Sequence, residues 1–231
     1  SSAHLKRIDS IALDGIRQGA YPGCQVVVLK NGHIMFDKAF GTYTGKGSPR
    51  VESTNIYDLA SLSKTTGTLL AIMKLYDKGR FNLTDKISDH LPFLQRTDKK
   101  DITIQEILYH QSGLPSWIPF YQEAIDKDSY GRLFSARKDV HHPVQIGTTT
   151  WANPKFKFKS EYISPVKTGD YTVQICDSLW LNRSFRKVIE EKIAEAPLKQ
   201  KRYVYSDVGF ILLGMLVEQL AGMPMEAYLQ R

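Results

Sequence analysis

The chain has 231 residues, 42% of them hydrophobic, and carries 31 Lys and Arg against 24 Asp and Glu, a formal charge of +7. That apolar content suits a packed core and excludes a disordered chain, and the length allows one large domain or two small ones. The longest apolar run, Val208 to Val217, stops at Glu218 and is too short to span a bilayer, so no membrane span is expected within these residues.

His4 to Gln18 carries Leu5, Ile8, Ile11, Ala12 and Ile16 at helical spacing and predicts an amphipathic helix. Gln25 to Lys30 and His33 to Phe40 read as strands of a β-hairpin, because Asn31-Gly32 supplies the positive φ values of a tight type I′ turn. Cys24, just before the first strand, reads as a small buried hydrophobe; with Cys176 it allows one disulfide but offers no metal-binding spacing. Gly41 to Glu52 is a polar loop. Gly45-Lys46-Gly47-Ser48 resembles a phosphate loop only faintly, since the spacing is wrong and no helix follows, so a turn is expected.

A helix follows Ser61, with Thr65, Thr66, Leu69, Leu70, Ile72, Met73, Leu75 and Tyr76 apolar on most faces, which predicts a buried helix, and Asp77-Lys78-Gly79 as its stop. Thr103 with Glu106 forms the sequence pattern of a capping box for a short helix to Tyr109, ended by His110 to Pro115. Residues 117–202 read as an irregular helical cap with β-branched pieces at Thr148 to Trp151 and Tyr171 to Ile175, and a charged helix near Phe185 to Glu195. Ser206 or Asp207 starts a last long helix that Gly222 ends. Thirteen basic and seven acidic residues lie between Arg137 and Arg202, but they follow no nucleic-acid-binding motif, and a solvated insertion is expected. The six histidines lack metal-ligand spacing, and His141-His142 reads as loop surface; neither a metal nor a cofactor is expected.

Chemistry concentrates at Tyr57-Asp58-Leu59-Ala60-Ser61-Leu62-Ser63-Lys64. A serine and a lysine three residues apart on a helix share one face, so the amine can reach the hydroxyl. Ser-x-x-Lys also occurs at Ser135/Lys138, Ser164/Lys167 and Ser184/Lys187, but those pairs lie in polar, basic surroundings. Lys64 opens an apolar helix, where lost hydration lowers an ammonium pKa and makes a general base.

These residues bring a family resemblance. Ile56 to Lys64 resembles the first motif of the class C β-lactamase-like serine hydrolases, which include penicillin-binding proteins, D-amino-acid peptidases and esterases. Asp77 to Asp85 is similar to the segment after its helix, Ile102 to Pro115 to its T-I-x-x-L-L-x-H-T-S-G-L-P signature with Gln111 replacing threonine, and Tyr205-Ser206-Asp207 to its Tyr-x-Asn motif. The resemblance implies an α/β (α+β) fold of the β-lactamase/transpeptidase type: an antiparallel sheet flanked by helices, with a mostly helical second subdomain. Residues 1–58 would supply the helix and hairpin, and 59–231 the mainly helical part with the basic insertion at 117–202. It implies Ser61 as nucleophile, Lys64 as its proton acceptor and Tyr205 as a second proton-relay group. Asp207 replaces the family's asparagine, placing an anion near Lys64 that would favour a protonated lysine and weaken β-lactam turnover.

The family's third motif, Lys-Thr-Gly or a variant, lies on a strand after Tyr205. Lys167-Thr168-Gly169 precedes Tyr205 and is read as a decoy. The chain is therefore expected to lack the C-terminal strands that complete the sheet and to need a following segment or another chain to supply them; alone it should be catalytically poor and prone to associate. The implied activity is acyl-enzyme hydrolysis of amides or esters, whether β-lactams, D-amino-acid peptides including those derived from peptidoglycan, or small acyl esters; the second reading is a binding or accessory module. No secretory leader is visible, so an exported, periplasmic or extracellular protein would be present here in mature form.

Overall fold

The computed structural model describes residues 2–45, 47–129 and 131–231. It divides into two compact units, Ser1–Ala60 and Ser61–Arg231.

In the first unit, helix α1 (Ser2–Arg17) precedes strands β1 (Gly23–Lys30) and β2 (His33–Gly41). The strands form the expected hairpin, with Asn31 and Gly32 at φ 51° and 77°, the two positive values a type I′ turn requires. Ala12, Phe36 and Phe40 make the small core, and Leu5, Ile8, Ile16, Val26 and Val28 pack against it, so the helical stripe meets one face of the hairpin. The opposite face keeps Val27, Leu29 and Met35 exposed. Beyond β2, Thr42 bridges to Arg50, and both Thr42 Oγ1 and Ser48 Oγ donate to the Gly45 carbonyl, at 2.9 and 2.8 Å. This is the expected turn; Lys46 within it lies outside the described residues.

The second unit is built on helix α6 (Asp207–Ala221). Val208, Leu212, Leu213, Leu216 and Val217 are wholly buried along it, against Ala71, Ile72 and Leu75 of α2 (Leu69–Asp77), Ile87 of α3 (Ile87–His90), Ile104 and Ile107 of α4 (Ile104–Leu108), and Tyr228 of α7 (Met225–Leu229). Ser206 caps α6 by accepting the Gly209 N–H at 3.1 Å, and Gly222 ends it at φ 67°. The capping box of α4 is present in full, and Gly79 at φ 64° follows α2.

Two expectations for this unit need correction. Helix α2 is not buried all round: Leu70, Met73 and Tyr76 are half exposed or more, so one apolar face is packed and the other open. The segment 117–202 is not a helical cap. Its described residues hold eight short strands: β3 (Ile125–Asp126), β4 (Phe134–Ser135), β5 (Val144–Gly147), β6 (Thr150–Ala152), β7 (Lys157–Phe158), β8 (Ile163–Ser164), β9 (Tyr171–Cys176) and β10 (Leu179–Asn182). They pair antiparallel as β3-β7, β4-β6-β5 and β8-β10-β9. Helix α5 (Phe185–Glu195) follows where the charged helix was expected. Seven of these strands have two to four residues, too short to display a two-residue alternation, which is why the sequence hid them; β9, with six, lies where the Tyr171 to Ile175 piece was read.

His142 also departs from its surface reading. Its ring is 6% exposed, with Nδ1 2.8 Å from Asp139 Oδ1 and Nε2 2.7 Å from the Arg132 carbonyl. Both partners are acceptors, so the geometry favours the doubly protonated ring, and Asp139 raises its pKa. Cys24 and Cys176 are free thiols. Among the described residues no group of side chains could hold a metal ion, and no helix is long and apolar enough to cross a membrane.

Candidate active site

Ser61 and Lys64 meet through local geometry. Ala60 takes φ 44°, a left-handed value that is costly for a non-glycine residue. A π-helical turn over Lys64–Thr68 then leads into α2. Tight reversal followed by a widened turn leaves Ser61 exposed with Lys64 Nζ donating to its Oγ at 3.1 Å. Among the described residues this is the one Ser-x-x-Lys pair joined by such a bond. Ser135 Oγ accepts the Arg137 N–H, Ser164 Oγ donates to the Val166 carbonyl, and Lys187 is 80% exposed.

Tyr205 and Asp207 reach the same place from far along the chain. Lys64 Nζ stands 2.6 Å from Asp207 Oδ1 and 5.1 Å from the centroid of the Tyr205 ring. The segment 199–207 is laid against 110–116 like a strap. Lys199 N–H donates to the Gly113 carbonyl, Val204 N–H to the His110 carbonyl, Ser206 Oγ to the Pro115 carbonyl and Asp207 N–H to the Ser116 carbonyl, at 2.7 to 2.9 Å. Gly113 has φ 80°, and a Cβ there would stand 2.3 Å from the Lys199 carbonyl oxygen, so only glycine permits the approach.

The electrostatics of Lys64 run against the expected lowered pKa. Burial does pull the ammonium down, but hydrogen bonding and charge from Asp207, followed by Tyr205, outweigh it and leave the pKa above its ordinary value. Lys64 is therefore a cation at neutral pH. Tyr205, 44% exposed, has its phenol pKa lowered by hydrogen bonding with Ser61 first and Lys64 second, with burial and Asp207 opposing. Of the two groups beside Ser61, the phenol is thus the one moved toward accepting a proton.

All four expected site residues, Ser61, Lys64, Tyr205 and Asp207, gather in the second unit. Lys167-Thr168-Gly169 does not form a strand; it makes the turn into β9, with Gly169 at φ 48° and Lys167 Nζ over the Trp180 ring. One residue beside the cluster was read from sequence only as part of a helix stop. His110 packs its ring on Tyr205 with centroids 4.7 Å apart, and its Nδ1 accepts the Ser206 N–H at 3.1 Å. Its position inside the Ile102 to Pro115 signature was the available signal.

Residues 8–231 match the Beta-lactamase family. An N-acetylmuramyl-L-alanine amidase of Bacillus subtilis is 26% identical over the whole chain, which spans 44% of that protein. Protein flp of Staphylococcus aureus is 32% identical over 76% of the chain and 36% of its own length. The chain thus spans less than half the length of these relatives. The octameric penicillin-binding protein homologue from Pyrococcus abyssi superposes with a TM-score of 0.60 at 21% identity, over 98% of this chain and 41% of the other, a likeness of fold. With residues 8–231 matched to the family and the fold of antiparallel sheets and helices shared, the chain belongs to the beta-lactamase family.

Proposed function

We propose that the protein is a serine hydrolase working through an acyl-enzyme on amide or ester bonds, with Ser61 as nucleophile. The observation that carries this reading is the convergence of Lys64 and Tyr205 on one exposed serine hydroxyl, with Asp207 paired to Lys64. Tyr205, as phenolate, takes the Ser61 proton while Oγ forms a bond to the substrate carbonyl carbon. The Lys64 ammonium stabilises the phenolate beforehand. Collapse of the tetrahedral adduct breaks the bond to the leaving group, which receives the proton from Tyr205, and water repeats the sequence on the acyl-enzyme. The Ser61 N–H, at the start of a helical turn, is suited to one half of an oxyanion hole.

The amidase relative supports wall-derived peptides or amides as substrates and, with them, a place of action outside the cytoplasm. Asp207 holds Lys64 in an ion pair and opposes the Tyr205 phenolate, which weakens β-lactam turnover. The same ion pair supports a second reading, a binding or accessory module, because a serine whose neighbouring lysine is held as a cation lacks an amine base. A fluorophosphonate or fluorescent β-lactam probe followed by intact-mass measurement separates the two. A covalent adduct that disappears in Ser61→Ala is expected; reversible binding with no adduct would leave the module.

A further inference from the structure

We infer that His110 is a positioning residue for Tyr205: it fixes the backbone on both sides of the phenol and packs against its ring, and so sets where the phenol oxygen stands relative to Ser61 and Lys64. The inference rests on the role proposed for Tyr205 above.

The two neighbours of Tyr205 are bound to the same residue. Val204 N–H donates to the His110 carbonyl at 2.8 Å, and Ser206 N–H donates to His110 Nδ1 at 3.1 Å. Between these bonds the His110 ring lies against Tyr205 at 4.7 Å and 40°, backed by Phe210 at 5.3 Å and met edge-on by Tyr203 at 6.2 Å. A phenol held this way has few orientations left, and proton transfer to Ser61 depends on hydrogen-bond reach.

The protonation state follows from the donor. Because Ser206 presents an N–H, Nδ1 must be the unprotonated nitrogen, which places the hydrogen on Nε2 and makes the ring neutral. The surroundings agree: burial and the Lys64 charge favour the neutral ring, with Asp207 as the opposing charge.

The backbone gives an independent argument. His110 sits at φ 55°, where glycine would be unstrained, and the same signature uses glycine at Gly113 with φ 80°. Glycine at 110 would keep the carbonyl bond to Val204 but have neither Nδ1 nor a ring. A strained histidine in place of an unstrained glycine points to the side chain as the reason.

The test uses the full chain with two substitutions. His110→Leu removes the acceptor while keeping apolar bulk; His110→Asn restores an oxygen near the place of Nδ1 and tolerates left-handed backbone. Acylation by a fluorophosphonate probe is followed over a range of probe concentrations, separating limiting rate from apparent affinity. The Tyr205 phenol is titrated by NMR of ¹³C-labelled tyrosine, assigned with Tyr205→Phe. We expect His110→Leu to lower the limiting rate by about 10- to 100-fold at unchanged affinity and to move the Tyr205 titration upward, and His110→Asn to recover most of both. A Leu variant matching the parent in rate and titration, a loss confined to affinity, or a folded Asn variant no better than Leu would overturn the inference. If circular dichroism shows the Leu variant unfolded, Asn decides alone: near-parental rate and titration support the inference, and loss of both overturns it. A parent that never labels, or labelling that survives Ser61→Ala, sinks the hydrolase reading instead, while the Tyr205 titration still reports on His110.

Discussion

The two sides of the candidate active-site cluster are assembled in different ways. Ser61 and Lys64 are three residues apart and meet within one turn of the chain. Tyr205 and Asp207 are delivered by a strap whose anchoring bonds span 91 and 96 residues, from Ser206 to Pro115 and to His110. The local pair depends on backbone geometry at Ala60 to Thr68, whereas the distant pair depends on tertiary structure elsewhere in the unit. Substitutions should therefore separate loss of the nucleophile, loss of the relay and loss of the strap.

The largest effect is expected from the local side. Ser61→Ala should abolish covalent labelling by intact mass while leaving the melting temperature unchanged, since the side chain is exposed and fills no cavity; labelling that persists would move the nucleophile elsewhere. Across the two sides, Lys64→Ala and Tyr205→Phe should each slow acylation by about 10²- to 10⁴-fold. Combined, they should lose less than the sum in free energy, because one proton-transfer unit is removed twice; strict additivity would show that the two act separately.

The strap alone can be loosened with Ser206→Ala, which removes both the helix cap and the bond to Pro115. It should cost about 1 kcal/mol of stability in chemical denaturation and slow acylation, with the Ser61–Lys64 pair intact. Unchanged acylation in a measurably destabilised variant would mean that strap and relay are not coupled.

Acid should act on the same side. The His110 pKa is depressed by burial and by Lys64, with Asp207 opposing, so its neutral form stabilises the fold at pH above the ordinary imidazole value of about 6.5. That contribution is lost as pH falls from there through the depressed pKa. Denaturation midpoints measured from neutral to acid pH should decline less in His110→Asn than in the parent.

The smallest effect is expected at Asp207→Asn. Removing the carboxylate takes away a charge that raises the Tyr205 pKa, which favours phenolate at lower pH, and it also lowers the Lys64 pKa, so the ammonium that supports the phenolate is lost earlier on the alkaline side. Acylation near neutrality should rise a few-fold, with the alkaline limb of the pH profile moved to lower pH; an identical profile would refute the charge argument.

The difference between the two sides also decides what could be read from sequence. The hairpin was legible because Asn31-Gly32 has one favourable use, α4 because Thr103 and Glu106 carry its cap within four residues, and α6 because Ser206 and Gly222 mark its two ends. Ser61 and Lys64 were legible for the same reason of short range. Tyr205 was marked only by resemblance, since a lone tyrosine before a helix is ordinarily a core aromatic. The raised pKa of Lys64 and the role of His110 depend on contacts with residues about a hundred or more positions away, which no local pattern encodes. His142 was misread for a related reason: its partner Asp139 was visible, but the Arg132 carbonyl that completes its burial was not.

The strap carries a further consequence for biosynthesis. A growing or partly folded chain can form the serine–lysine pair as soon as residues 60–68 coil, but the phenol arrives only when a loop of roughly ninety residues closes onto 110–116. Closing such a loop comes at an entropic cost that local turns do not bear, and contacts of long sequence separation form slowly. Under the proposed roles, reactivity of Ser61 is thereby made contingent on completed folding, so that immature molecules would carry the serine–lysine pair without the phenol proposed to deprotonate it.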